Sequence, residues 1–214
     1  MTRGVASAPG ALFRTILLSV TVLLAGGGAL SAATDGFQAF TTETARRVSV
    51  RHHPVDLPAV ALENQAGSRF TLADLRGSWL LVDFIYTRCP TFCTALGGDF
   101  AQLERQLAGP VVRGQVRLLS VSFDPTHDPP AELAAYVRRF RGRDGGWQAA
   151  RPLTDDGLQQ LTAAFGITVI PDRLGGYTHN AAIHLVDPAG RLVDIFDLGE
   201  VDRIRETILR KVQP

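Results

Sequence analysis

Residues 79–93, WLLVDFIYTRCPTFC, carry a continuous apolar, β-rich run straight into the only two cysteines of the chain. Trp79, Leu80, Leu81, Val82, Phe84, Ile85 and Tyr86 are interrupted only by Asp83. A run without polar alternation predicts a strand covered on both faces, as in the interior of an α/β layer. Directly after it, residues 94–107 place Leu96, Phe100, Leu103 and Leu107 at helical spacing, which predicts an amphipathic helix. Cys89 and Cys93 therefore fall at a strand-to-helix junction. Open α/β sheets gather their sites at the carboxyl ends of strands, and a cysteine at a helix N-terminus has its thiolate stabilised by unpaired N–H groups and the helix dipole.

The same pattern repeats downstream. Residues 116–123, VRLLSVSF, read as a second buried strand, followed by a proline-rich loop and a helix over about 131–140. Strand, helix, strand, helix predicts parallel pairing. Residues 147–152 are a third strand candidate, and Thr154, Asp155 and Asp156 offer an N-cap and acidic first turn to a helix ending at Phe165 and Gly166. Residues 181–186 and 191–196 flank Asp187-Pro188-Ala189-Gly190, which has the composition of a hairpin turn, and residues 201–212 close the chain as a helix. Upstream, residues 59–63 and 69–71 around Gln65-Ala66-Gly67-Ser68 predict an N-terminal β-hairpin, with residues 72–75 as a short helical turn. The expected fold is α/β, a mixed central sheet with flanking helices, compatible with a thioredoxin-like core carrying an insertion between about residues 130 and 178.

Composition narrows the functional classes. The 214 residues are 45% hydrophobic and 20% charged with a formal net charge of +1, which is ordinary globular material. The near balance of charge argues against a nucleic-acid footprint, which needs basic residues clustered in excess on one face. Arg3 and Arg14 precede an uncharged run, residues 15–34, TILLSVTVLLAGGGALSAAT, ending at Asp35. Its length just suffices to span a bilayer, Gly26-Gly27-Gly28 weakens it as a helix, and Ala29-Leu30-Ser31 or Ser31-Ala32-Ala33 has the small residues of a cleavage site. Basic residues ahead of such a run place the rest of the chain outside the cytoplasm. The expected organisation is a signal peptide or membrane anchor at 1–34, a linker at 35–55 and one folded domain at 56–214, exported to the periplasm or anchored in the inner membrane facing it.

Two cysteines in an oxidising compartment form a disulfide unless something uses them reduced. If the first turn is helical, Cys89 and Cys93 at i and i+4 share a face and can either bridge or hold a soft metal. A bridge closing so short a loop removes little chain entropy, so reversible chemistry explains the pair better than a structural staple. Structural zinc is poorly supported, since it needs four ligands and no second cysteine pair exists, and iron–sulfur clusters fail on the same count. Two thiolates with one imidazole suit copper, whose cuprous form favours sulfur. Of the five histidines, His52 and His53 read as a solvated pair in the linker, His184 as a half-buried strand residue, and His127 as part of a loop hydrogen-bond network beside Asp124 and Asp128. His179, in Gly176-Tyr177-Thr178-His179-Asn180 just before a strand, can project over the strand-to-helix junction, which makes it a candidate ligand without excluding the others.

At these residues the chain resembles the Sco/SenC family of thioredoxin-like copper-binding factors for cytochrome c oxidase assembly, over about residues 57–214. Tyr86-Thr87-Arg88-Cys89-Pro90-Thr91-Phe92-Cys93 matches the YTxCPxxC motif, residues 122–128 match S-x-D-P-x-x-D, and His179 precedes the xLxDPxG hairpin at residues 184–190. Thr94 stands where the family often has proline, and His127 where it often has arginine. The resemblance implies that Cys89, Cys93 and His179 bind one copper ion per chain, and that the partner is the copper-bearing oxidase subunit or another copper chaperone. The competing reading is a thiol-disulfide reductase acting on that subunit's cysteines through Cys89 and Cys93 as a catalytic redox pair. The CxxxC spacing and His179 favour the metal, because dithiol exchange has no need of an imidazole. A peroxidase is less consistent, since peroxidases activate a single low-pKa cysteine and nothing in the sequence singles one out from its close partner.

Overall fold

A computed structural model of the chain describes residues 9–34, 36, 41–89, 91–140, 146–172 and 175–212. Arg3, Asp35 and Pro90, all used in the sequence reading, lie outside the described residues. The chain divides into two compact units, residues 1–52 and 53–214.

The first unit contains two helices, α1 (Pro9–Ala33) and α2 (Thr42–His52). Within α1 the stretch Gly10–Ala33 is long and apolar enough to cross a membrane, by length and composition, and the three glycines at 26–28 do not interrupt it. The segment expected as a linker, residues 35–55, instead contains α2. The Thr44 N–H donates to Thr41 Oγ1 at 3.1 Å, and Glu43 in the first turn pairs with Arg46 at 2.9 Å and Arg47 at 3.3 Å. Arg51 and His52 complete a favourable charge arrangement at the C-terminal end. Capping and charge thus specify a helix whose few large apolar residues, Val48 and Val50, show no helical period.

In the second unit, β4 (Trp79–Ile85) and β5 (Val116–Ser122) pair in parallel from Trp79↔Val116 to Ile85↔Ser122, and β5 pairs in parallel with β6 (Trp147–Pro152). The remaining strands join antiparallel: β9 (Ile183–Val186) on β4, β10 (Arg191–Phe196) on β9, β1 (Val55–Asp56) on β10, and the hairpin of β2 (Ala61–Asn64) and β3 (Arg69–Thr71) on β6. The order is β1-β10-β9-β4-β5-β6-β2-β3, so the mixed central sheet is as expected, with β4 near its middle. Because β6 is integral to this sheet, residues 130–178 are not a simple insertion. What stands outside the sheet is the two-stranded pair β7 (Val169–Pro171) and β8 (Tyr177–His179).

Helices α3 (Phe92–Gln106), α4 (Ala108–Val112), α5 (Pro130–Arg139), α6 (Asp155–Phe165) and α7 (Val201–Val212) complete the unit. The Thr154 side chain caps α6 by accepting from the Gly157 N–H, and Gly166 closes it with φ of 63°. Helices α3 and α7 pack together, and Asp99 of α3 accepts from the Gly199 N–H at 2.8 Å. At Gly97 a Cβ would run into the Phe140 ring, so glycine sets the close approach of α3 to the end of α5. Leu81, Val82, Phe84, Ile85, Leu118, Val121, Leu185 and Ile195 are fully buried or nearly so. Each such side chain contributes about 1.5–3 kcal/mol of transfer free energy.

Asp83 is the polar exception in β4, fully buried opposite Ser120. Neither carboxylate oxygen reaches a donor in bonding geometry, although the Ser120 hydroxyl lies close enough to offset part of the cost. Burial, reinforced by Asp99, pushes the carboxyl up to about 7 from 3.8. A folded-state pKa above the unfolded one gives stability at low pH that is lost as pH rises through about 7. Asp83→Asn is therefore expected to raise the melting temperature more at about pH 9 than at pH 5, the gain differing by about 3 kcal/mol from the two pH units between 5 and about 7. Melting curves across that range check this, and parallel pH profiles for the two proteins would contradict it.

Candidate metal centre

Cys89 follows the C-terminal end of β4 and Cys93 lies in the first turn of α3, so the two flank the strand-to-helix turn. The Cys93 N–H points back at the Cys89 sulfur, N···Sγ 3.4 Å, and the Thr91 hydroxyl lies 3.8 Å from the same sulfur. Both cysteines are free and buried. His179, at the end of β8, places Nε2 3.9 Å from Cys93 Sγ. One donor atom from each of Cys89, Cys93 and His179 lies within 4.8 Å of the others, and all three residues are buried.

The imidazole is oriented on both sides. Its Nδ1 lies 3.3 Å from the Asn180 carbonyl, an arrangement that places the proton on Nδ1 and leaves the Nε2 lone pair facing the sulfurs. Phe123 lies 4.9 Å from the ring, Phe92 6.2 Å and Tyr86 6.4 Å, centroid to centroid. Burial pushes the His179 pKa down, which keeps the ring neutral and its lone pair available at neutral pH.

The thiols differ. Burial raises both, but hydrogen bonds from the Cys93 and Thr91 backbone and side chains hold Cys89 below the ordinary thiol range. Cys93, deeper and next to Cys89, is pushed well above it, chiefly by burial. The Tyr136 hydroxyl donates to the Cys93 carbonyl at 2.8 Å and fixes the start of α3 from below.

A second set of residues holds the cysteine loop in place. Asp128 accepts from the Thr87 N–H at 3.1 Å, the Thr87 hydroxyl at 2.6 Å and the Ser122 hydroxyl at 2.6 Å. Asp124 pairs with Arg88 at 2.7 Å and with His127 Nδ1 at 2.8 Å. His127 is thus a partner of the acidic loop, as the sequence predicts, and stands outside the Cys89, Cys93, His179 group. His184 departs from expectation: it is fully buried, packed on Phe84 and Phe165 with Nδ1 3.3 Å from the Val82 carbonyl, because β9 is an inner strand covered on both faces. His52 and His53 are exposed. The roles of Thr87 and Asp128 in bracing the site are not read from the sequence, although the acids spaced at 124 and 128 after a buried strand are their signal.

Two thiolates and one neutral imidazole on three buried residues make a site for a soft metal ion or, without metal, a dithiol with one acidic member. The unequal thiols give an expected outcome: at pH 7 iodoacetamide modifies Cys89 on the order of 10-fold faster than Cys93. Site-resolved mass spectrometry measures both rates, and equal rates or a faster Cys93 would contradict the assignment.

Comparison with known proteins gives concordant results. The chain is 26% identical over 133 residues to the SCO1 protein homolog of Bacillus subtilis (strain 168), a match covering 61% of this chain and 68% of that relative. Its fold is similar to that of Bradyrhizobium japonicum ScoI with copper bound, at a TM-score of 0.62 and 24% identity over 72% of this chain and 98% of that chain. It is similar also to BsSco, a member of the Sco family of cytochrome c oxidase assembly proteins in which a disulfide switch has been identified, at a TM-score of 0.65 and 21% identity over 75% and 96% of the respective chains. The core is accordingly thioredoxin-like. With the SCO1/SenC family model matching residues 58–213, nearly all of the second unit, the chain belongs to the SCO1/SenC family.

Proposed function

We propose that this protein is a copper metallochaperone, holding one copper ion between Cys89, Cys93 and His179 and passing it to, or preparing, the binuclear copper site of a cytochrome c oxidase subunit during assembly. The observation that carries the reading is the donor set, two sulfurs and one imidazole nitrogen within 4.8 Å of one another on three buried residues. Sulfur donors favour Cu(I), and the imidazole tolerates either oxidation state. A closed structural zinc site needs a fourth protein donor, and the group among the described residues has three. The copper bound to B. japonicum ScoI supports the choice of metal, and the description of the Sco family as oxidase assembly proteins supports the partner. Binding requires both thiols to ionise, so uptake releases protons. Cys89 is prepared for this by its hydrogen bonds, whereas Cys93 gives up its proton only to an incoming cation.

A second reading rests on the same inequality of the thiols. As a reductase, the Cys89 thiolate attacks a client disulfide and the Cys93 sulfur then displaces the client from Cys89. The chain is left with a Cys89–Cys93 disulfide, and two electrons and two protons pass to the client dithiol. Position 179 separates the two readings. Anaerobic titration of the full-length protein in detergent is expected to show one Cu(I) per chain, abolished by Cys89→Ser or Cys93→Ser. His179→Ala is expected to keep thiol-disulfide cycling and much Cu(I) binding while Cu(II) affinity falls about 100-fold, at the upper end of what loss of even a supporting group costs a metal site. Oxidase assembly in cells carrying His179→Ala fails if the protein is a carrier and persists if it is a reductase.

We place the protein at a membrane, on the periplasmic side, held by α1 or exported through it. A 25-residue helix is about 37 Å long at 1.5 Å per residue, enough for a hydrocarbon core of about 30 Å. The folded unit is expected to fractionate outside the cytoplasm. The mass of the mature chain distinguishes anchor from signal, since cleavage near Ala33 removes about 3 kDa, and a cytoplasmic full-length protein would contradict both.

A further inference from the structure

Among the described residues, His179 comes from the strand pair that stands outside the central sheet. Strands β7 and β8 bond to each other, Val169 opposite His179 and Ile170 opposite Thr178, while β4, which leads to the cysteines, bonds to β5 and β9. The Asn180 side chain ties the far end of β8 to Thr168 at 2.7 Å and Gly166 at 2.9 Å, within the same segment. Nothing in that arrangement registers the imidazole against the sulfurs.

Tyr86 supplies a direct link. It is the first residue after β4, three before Cys89, and is buried. Its hydroxyl oxygen accepts the Tyr177 N–H at 3.3 Å, and the hydroxyl lies near enough to Cys89 for the two groups to influence each other's ionisation. A phenol hydroxyl has one proton and two lone pairs, so it can serve both partners at once. The ring is wedged between Tyr177 at 5.2 Å and Phe123 at 5.3 Å, which removes its freedom to turn away.

We infer that Tyr86 is a positioning residue, a latch whose hydroxyl fastens the β7–β8 pair to the cysteine end of β4 and so seats the His179 imidazole over the two sulfurs. This rests on the reading of His179 as a ligand. Tyr86→Phe keeps the ring and its contacts and removes only the oxygen. Gly176→Ala tests the same latch from the other side, because a Cβ there would stand 3.1 Å from the Tyr86 oxygen and 2.6 Å from Asp172 Oδ2.

The experiment compares full-length wild type, Tyr86→Phe, Gly176→Ala and His179→Ala in detergent, by hydrogen–deuterium exchange of the peptide covering residues 175–180 and by Cu(I) and Cu(II) affinity. In Tyr86→Phe, exchange of that peptide is expected to rise about 10-fold and Cu(II) affinity to fall about 3- to 10-fold, the range of a single hydrogen bond, with Cu(I) affinity within about 2-fold of wild type. Wild-type exchange and Cu(II) binding in Tyr86→Phe, with His179→Ala defective, would overturn the latch and leave the ligand assignment standing. Wild-type Cu(II) binding by His179→Ala would overturn the ligand assignment and the latch with it. If Tyr86→Phe loses Cu(I) binding as well, it has lost its fold, and Gly176→Ala decides: selective loss of Cu(II) upholds the latch, and wild-type behaviour overturns it.

Discussion

The buried carboxylate of Asp128 accepts three hydrogen bonds, two from Thr87 and one from Ser122, and through them the loops leaving two neighbouring parallel strands are held as one body. Desolvation opposes a charge there and holds the carboxyl above its ordinary range, and the three donors offset part of that cost. Hydrogen bonds to a charged acceptor contribute about 1.5–3 kcal/mol each, so the tie is strong relative to the marginal stability of a domain. What it fixes is the path of the chain from Tyr86 to Cys89. With Thr87 anchored, Arg88 turns outward to Asp124 and Cys89 turns inward beneath the start of α3, and the sulfur geometry is set by that path.

The parallel centre of the fold is legible because apolar burial writes itself plainly into residues 79–86 and 116–123, and because turn and cap residues are local signals. Thr154 with its two following acids and the Asp187-to-Gly190 turn act within a few residues of themselves, and the structure places both as read. Membership of β6 in the sheet is different. The run at residues 147–152 is short and carries Arg151, whose pairing with Glu63 across β2 and β6 cannot be seen until those strands meet. The helix at 42–52 escapes for another reason. Periodicity detects an apolar stripe, and this helix is specified by charge order and a threonine cap instead.

The donor set is visible as residue types and spacing, with His179 favoured by its place before a strand and by family resemblance. Its surroundings are not. Tyr86, Phe92 and Phe123 come from three separate parts of the chain, and their convergence on one imidazole depends on topology that no local window contains. His184 illustrates the reverse error, in which alternation with Ile183 and Leu185 reads as half exposure although the strand lies between β4 and β10 and both its faces are covered.

The division of the three donors between a rigid sheet end and a separate small hairpin has a kinetic meaning. Elements with few connections to the core open at a fraction of the free energy of global unfolding, and they do so often. Displacement of the β7–β8 pair would carry His179 away from the sulfurs while Cys89 and Cys93 stay where β4 and α3 put them. On the proposed reading, the residence time of a bound ion would then follow the rate at which that pair opens.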